Sequence, residues 1–178
     1  VKYSVPSYYI LTPAEVSANL ARLDGMRYGL HVDGPDLRSV YFQSKGEGFG
    51  KEVKRRILLG TYVLSSGYYD AYYNKAIAAR KLITKDYNEA FKKVDLILTP
   101  TTTGPAFKIG EKISDPIKMY LEDIFTAPAN IAGLPAVSIP SGFVEEEGQK
   151  LPLGIQFIAS HLREDLLFEV GKKFEEIR

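Results

Sequence analysis

The 178-residue chain balances 23 Lys and Arg against 22 Asp and Glu for a net charge of +1, with 45% apolar and 25% charged residues. That is the composition of a globular protein large enough to bury a core, and its near-neutrality gives no global electrostatic case for nucleic-acid binding. The lack of cysteine excludes a disulfide framework, a zinc–thiolate site and a cysteine nucleophile within it, and His31 and His161 lack ligand-spaced neighbours, so no metal site is expected.

Val1 to Leu11 is rich in β-branched and aromatic residues with Pro6 interrupting, which predicts an extended segment or edge strand. Thr12-Pro13-Ala14-Glu15 has the order of a helix start: threonine as N-cap, proline at the first helical position, and glutamate to close a capping box. A helix is therefore expected over Ala14 to Arg22, stopping near Gly25. Arg27 to Arg38 contains Gly29, Gly34 and Pro35 without a clear period and reads as a loop. The glycines of Gly46-Glu47-Gly48-Phe49-Gly50-Lys51 invite a phosphate-loop reading. However, Lys45 stands where that pattern needs its first glycine, Glu52 follows the lysine, and no strand is expected ahead, so these glycines are assigned to the opening of a helix.

Phe49 to Arg80 reads as two amphipathic helices joined by Ser65-Ser66-Gly67. Phe49, Val53, Ile57 and Leu64 keep near-helical spacing, and Tyr69, Tyr73, Ala76, Ile83, Tyr87 and Phe91 continue the stripe after the break. Tyr68, Tyr69, Tyr72 and Tyr73 offer apolar area with hydroxyls at its rim. Val94 to Thr99, stopped by Pro100, suits a buried strand, and residues 101 to 114 a loop. Asp115 as N-cap and Pro116 at the first position open a helix to about Ile124. Pro128 and Gly133-Leu134-Pro135 punctuate the chain before strands at Ala136 to Ile139 and Leu153 to Ile158, joined by a polar, hairpin-like Glu145 to Lys150. Glu164 to Ile177 closes as an amphipathic helix with Leu167, Val170, Phe174 and Ile177 on one face. Strands interleaved with helices predict an α/β layered fold. No stretch approaches the roughly 18 to 20 apolar residues that span a bilayer and no signal peptide is visible, so a cytoplasmic protein with no membrane partner is expected.

Several runs carry a resemblance: VPSYYIL (Val5 to Leu11), SANLARLDGMRYG (Ser17 to Gly29), GFGKEVKRRILLGTYVLSSGYYDAYYNKA, DLILTPTT (Asp95 to Thr102), DPIKMYLEDIFTAPANIAGLPAVSIPSG (Asp115 to Gly142) and LPLGIQFIAS (Leu151 to Ser160). Together they cover most of the chain, which resembles the C-terminal half of the amidase signature family, in the branch formed by the glutaminase subunits of glutamyl-tRNA(Gln) amidotransferases. The resemblance implies the C-terminal portion of the amidase signature fold, a mixed β-sheet covered by helices, with residues 1–178 belonging to a single amidase domain. The chain opens at Val1 without methionine, and the resemblance implies a missing N-terminal part of comparable size in the same polypeptide.

Amidases of this family activate a serine through a second serine and a lysine. The resemblance places all three upstream, so no catalytic residue is expected in this chain; Ser65-Ser66-Gly67 lacks the glycine-rich surroundings of that signature. What remains is substrate recognition. Glutamine presents a zwitterion, which calls for a cation on its carboxylate and an anion on its ammonium; the planar fork of arginine suits the first. Carried over from the family, these roles fall on Arg56 for the α-carboxylate, Asp123 for the α-ammonium and Tyr8 as pocket lining. From the residues alone Arg56 equally suits an i,i+4 pair with Glu52, and Arg55 and Tyr9 remain rivals to Arg56 and Tyr8. The resemblance further implies no cofactor on this chain, ATP and Mg at a partner subunit, two other amidotransferase subunits, and Glu-tRNA(Gln) reached through the complex. The competing readings are a stand-alone amidase and a non-catalytic assembly or tRNA-binding fragment built on Lys51, Lys54, Arg55 and Arg56.

Overall fold

In the computed structural model, which describes residues 3–111 and 116–177, the first element is a helix, α1, over Ser4–Leu20. This corrects the extended segment expected for Val1 to Leu11 and moves Thr12 from an N-cap to mid-helix. Ser4, Ser7, Leu11 and Ala14 are all buried, and their spacing of three and four residues is that of one helix face. Pro6 falls in the first turn, where its missing N–H is harmless, whereas Pro13 lies inside and forfeits one helical bond.

Two compact units make up the chain: residues 8–77 form one, residues 1–7 with 78–178 the other. In the first, the loop from Asp24 to Asp36 is fastened by Ser44, whose buried hydroxyl accepts from the Val32 N–H at 3.0 Å. The loop ends where Asp36 accepts from the Ser39 N–H at 2.8 Å and caps α2, Leu37–Gly48, a helix absent from the expected elements. Gly46 and Gly48 thus lie in the last turn of a helix rather than after a strand, and Gly50 precedes α3, Lys51–Val63. The buried positions of α3 are Gly60 and Val63; Leu64, expected on its inner face, is the exposed C-cap.

The expected break follows, with Ser65 donating to the Tyr62 carbonyl at 2.6 Å and Gly67 at φ 84°. Tyr69–Tyr73 then forms a π-helical turn before α4, Asn74–Ala90. The predicted stripe holds at Ala76, Ile83 and Tyr87, which are buried, but not at Tyr69, which is exposed. The tyrosines instead stack on one another, Tyr62 on Tyr68 at 4.1 Å between ring centroids and Tyr69 on Tyr73 at 5.0 Å. A hydrogen bond to Tyr68, then local desolvation, push the Tyr62 phenol up to about 12 from its usual 10. Spectrophotometric titration is expected to show a tyrosine ionising at about pH 12 that is absent in Tyr62→Phe. The neutral, hydrogen-bonded form is the stabilising one, so its contribution is complete below pH 10 and lost as pH rises through 12.

The second unit is built on three antiparallel strands in the order β1-β3-β2: β1 Leu96–Pro100, β2 Ala136–Glu146 and β3 Gln149–Ala159. The mixed sheet of the expected fold is represented here by antiparallel pairs. β1 is an edge strand among the described residues, and Leu98 is exposed where a buried strand was expected. Both predicted strands around Glu145 to Lys150 are present and longer, because Glu147 (φ 50°) and Gly148 (φ 74°) supply the two left-handed residues of a tight hairpin. Ser141 forms a bulge between Pro140 and Gly142. One sheet face is covered by α7, Glu164–Ile177: Leu167, Val170 and Phe174 pack on Ile139, Phe157 and Ala159, while Ile177 at the helix end is exposed.

Pro116–Leu121 is helical as expected (α5), continued by a 3-10 turn over Glu122–Ile124; the Asp115 cap lies outside the described residues. A short buried helix, α6, Ala127–Ala132, was not anticipated. Gly133 (φ 71°) closes it, donating to the Asn130 carbonyl while Leu134 donates to Ala129 at 3.0 Å.

Candidate functional site

Helical spacing on α3 brings Glu52, Arg55 and Arg56 together. Glu52 sits in the first turn, where the helix dipole favours an anion. One of its oxygens accepts from Arg56 Nε at 2.9 Å and the other from Arg55 Nη2. The two arginines differ in setting: the Arg56 side chain is 30% exposed and that of Arg55 45%. The Arg56 guanidinium also lies 5.8 Å from the centroid of the Tyr9 ring, and Tyr8 meets Tyr9 edge-on at 5.2 Å.

Burial opposes the charge of Arg56, but the hydrogen bond and charge of Glu52 outweigh it and raise its pKa. Burial likewise opposes the Glu52 carboxylate, and the two guanidiniums prevail and lower it. Glu52 engages only Nε of Arg56; the two Nη groups make no hydrogen bond among the described residues. They form the end of the fork that can grip a carboxylate through two parallel bonds.

Of the expected site residues, Arg56 and Tyr8 lie in the unit of residues 8–77, where the guanidinium lies over the Tyr9 ring and Tyr8 meets that ring edge-on. Asp123 belongs to the other unit. It is half-buried in the 3-10 turn after α5, and its carbonyl accepts from the Thr126 N–H at 3.2 Å. Its neighbour Glu122 accepts from Thr103 Oγ1 at 2.8 Å, at the wall of a cavity of about 870 Å³ that Phe107, Lys108, Glu146 and Leu151 also line.

Two residues that support these positions were not picked out from the sequence. Glu52 figured there only as a surface partner. Gln156, buried in β3, donates to Thr99 Oγ1 and to the Phe125 carbonyl, both at 2.9 Å, tying the sheet to the segment just after Asp123. Its signal was a polar residue within the apolar run of β3, opposite Thr99 and Ser138. Beside it, Thr101 and Ser138 share a hydrogen bond of 2.7 Å over Gly154, where a Cβ would meet Thr101 Oγ1 at 2.8 Å.

Among the described residues no group of His, Asp and Glu is arranged to hold a metal ion, and no helix is long and apolar enough to cross a membrane. Of the basic residues of α3, Arg55 and Arg56 share Glu52, and Lys54 donates to the Gly46 carbonyl.

The family profile described as "Amidase" matches residues 1–168. The A subunit of the glutamyl-tRNA(Gln) amidotransferase of Pelagibacter ubique is 56% identical over 174 residues, covering 98% of this chain and 35% of that protein. The protein of the same name from Bacillus velezensis is 54% identical over 176 residues, covering 98% and 36%. The chain therefore spans about 35% of the length of these relatives. Among solved structures, a 6-aminohexanoate cyclic dimer hydrolase superposes with a TM-score of 0.64 at 18% identity, covering 98% of this chain and 34% of that one. Kluyveromyces lactis allophanate hydrolase does so at 0.58 and 19%, covering 91% and 25%. At such identities the two structures speak to the fold alone.

Proposed function

The chain belongs to the amidase family, and from that premise we propose that it is the C-terminal part of the glutaminase subunit of a glutamyl-tRNA(Gln) amidotransferase, contributing the glutamine-binding pocket. The full subunit hydrolyses glutamine to glutamate and ammonia. The ammonia passes to a partner subunit that activates Glu-tRNA(Gln) with ATP and Mg, in a cytoplasmic assembly of three subunits. Both units of this chain belong to one amidase domain, and the nucleophile belongs to the part of that domain outside residues 1–178.

One observation carries the reading: a half-buried Arg56 is held by its Nε while its Nη groups stay unbonded among the described residues, in a chain more than half identical to subunits of that name. In this reading Arg56, with Tyr8 and Tyr9 beside it, is the group for the α-carboxylate, and Asp123, in the other unit, is the group for the α-ammonium.

The test is to assay the full-length subunit in its complex on glutamine, on glutaramate, which lacks the α-ammonium, and on γ-aminobutyramide, which lacks the α-carboxylate. Glutamine is expected to exceed each in kcat/KM by more than about tenfold, since each loses a charge-assisted contact. Equal values for all three would instead mark a general amidase.

A further inference from the structure

We propose that Glu52 is a positioning residue for the carboxylate-binding arginine: clamped between Arg55 and Arg56, it fixes the Arg56 guanidinium so that the Nη pair faces the ligand. The inference rests on the assignment of Arg56 made above.

An arginine side chain has several rotatable bonds, and ordering it at the moment of binding subtracts from affinity. Here the ordering is done in advance. Glu52 holds Nε at 2.9 Å, which sets the direction of the guanidinium plane, and the Tyr9 ring lies within cation–π range of it. Because Glu52 takes Nε, the arginine keeps its terminal Nη groups for an end-on, two-bond grip.

The arrangement has an electrostatic cost, since a carboxylate next to Arg56 repels the carboxylate of a ligand. Arg55 offsets that cost by occupying the other oxygen of Glu52, so that a second guanidinium screens that carboxylate from the ligand. This explains two adjacent arginines of which one, by its exposure, is the less suited to reach a pocket.

The two effects of Glu52 have opposite signs, and this gives the test. If Glu52 acted only as a charge, removing it would tighten glutamine binding and lower KM. As a positioning residue, its removal raises KM. In the full-length subunit within its complex, Glu52→Ala is expected to raise KM for glutamine about tenfold, as for a weakened charge-assisted hydrogen bond. Glu52→Gln, which keeps the side-chain length and one acceptor oxygen for Nε, is expected to raise it about threefold, and Arg55→Ala by a similar amount. The kcat for γ-aminobutyramide, which has no carboxylate for Arg56 to hold, should be retained in all three, which also reports that they fold. An unchanged or lowered KM in Glu52→Ala, or equal losses on both substrates, overturns the proposal. Failure of the underlying assignment is distinguishable: Arg56→Ala would then leave KM for glutamine unchanged.

Discussion

In the full-length subunit, Arg56→Ala is expected to raise the KM for glutamine by about 30- to 150-fold, corresponding to about 2–3 kcal/mol for the charge-assisted grip on a carboxylate. The two Nη groups left unbonded among the described residues provide that grip. The α-carboxylate takes no part in breaking the amide, so the contact is the same in ground and transition states, and kcat should change little. Hydrolysis of γ-aminobutyramide should be unaffected. The fold is expected to survive, because Glu52 keeps Arg55 as a partner. Arg56→Lys separates charge from geometry: an ammonium restores attraction but not the planar fork, so its KM should fall between those of wild type and Arg56→Ala. Steady-state kinetics on the two substrates check all of this. Equal losses on both would mean that Arg56 supports the fold rather than the ligand.

Much of this architecture was legible where periodicity and chain punctuation agreed. Leu167, Val170 and Phe174 repeat at helical spacing and do cover the sheet, and the polar Glu145 to Lys150 segment does turn a hairpin. The first helix was not legible because two of its five buried positions are Ser4 and Ser7. A buried face with Leu11 as its one large apolar residue beside Ser4, Ser7 and Ala14 leaves little hydrophobic period to read, while the tyrosines and valine on the other positions imitate a strand. Two prolines strengthened the error, since one is tolerated in the first turn and the other is accommodated inside the helix.

The same reading left one choice at the site open. With residues 5 to 11 taken as extended, nothing could decide whether Tyr8 or Tyr9 faces α3, because the choice depends on helical phase. The structure places Tyr9 against the guanidinium. The Glu52–Arg56 spacing was visible as a pair, but not its half-buried setting, which comes from tertiary packing rather than from the helix itself. The second helix escaped for a different reason: Gly46 and Gly48 suggested a loop, although Asp36 caps the segment and Leu37, Val40, Tyr41 and Ser44 keep helical spacing.

The same crossing of α1 and α3 leads to the largest expected effect on stability. Gly60 is buried, and a Cβ placed on it would lie 1.9 Å from the carbonyl oxygen and 2.4 Å from the carbonyl carbon of Pro13. Both atoms are backbone, so no rotamer change relieves the overlap and the helices must separate. In an open helix Gly→Ala gains up to ~1 kcal/mol from propensity. Here overpacking outweighs that gain, and Gly60→Ala is expected to destabilise by about 3 kcal/mol net, seen as a lower thermal unfolding midpoint of the full-length subunit. Gly46→Ala is the control: no atom lies within 4 Å of its added Cβ, so the midpoint should stay or rise slightly. The separation also reaches the site, because Tyr9 lies one helical turn before Pro13 on α1 and Arg56 one turn before Gly60 on α3. Gly60→Ala protein that remains folded should therefore show a raised KM for glutamine, through the lost Tyr9 contact, at unchanged KM for γ-aminobutyramide. An unchanged midpoint together with an unchanged KM would show that the two helices can part at Gly60 without cost and that their close approach does not hold Arg56 in place.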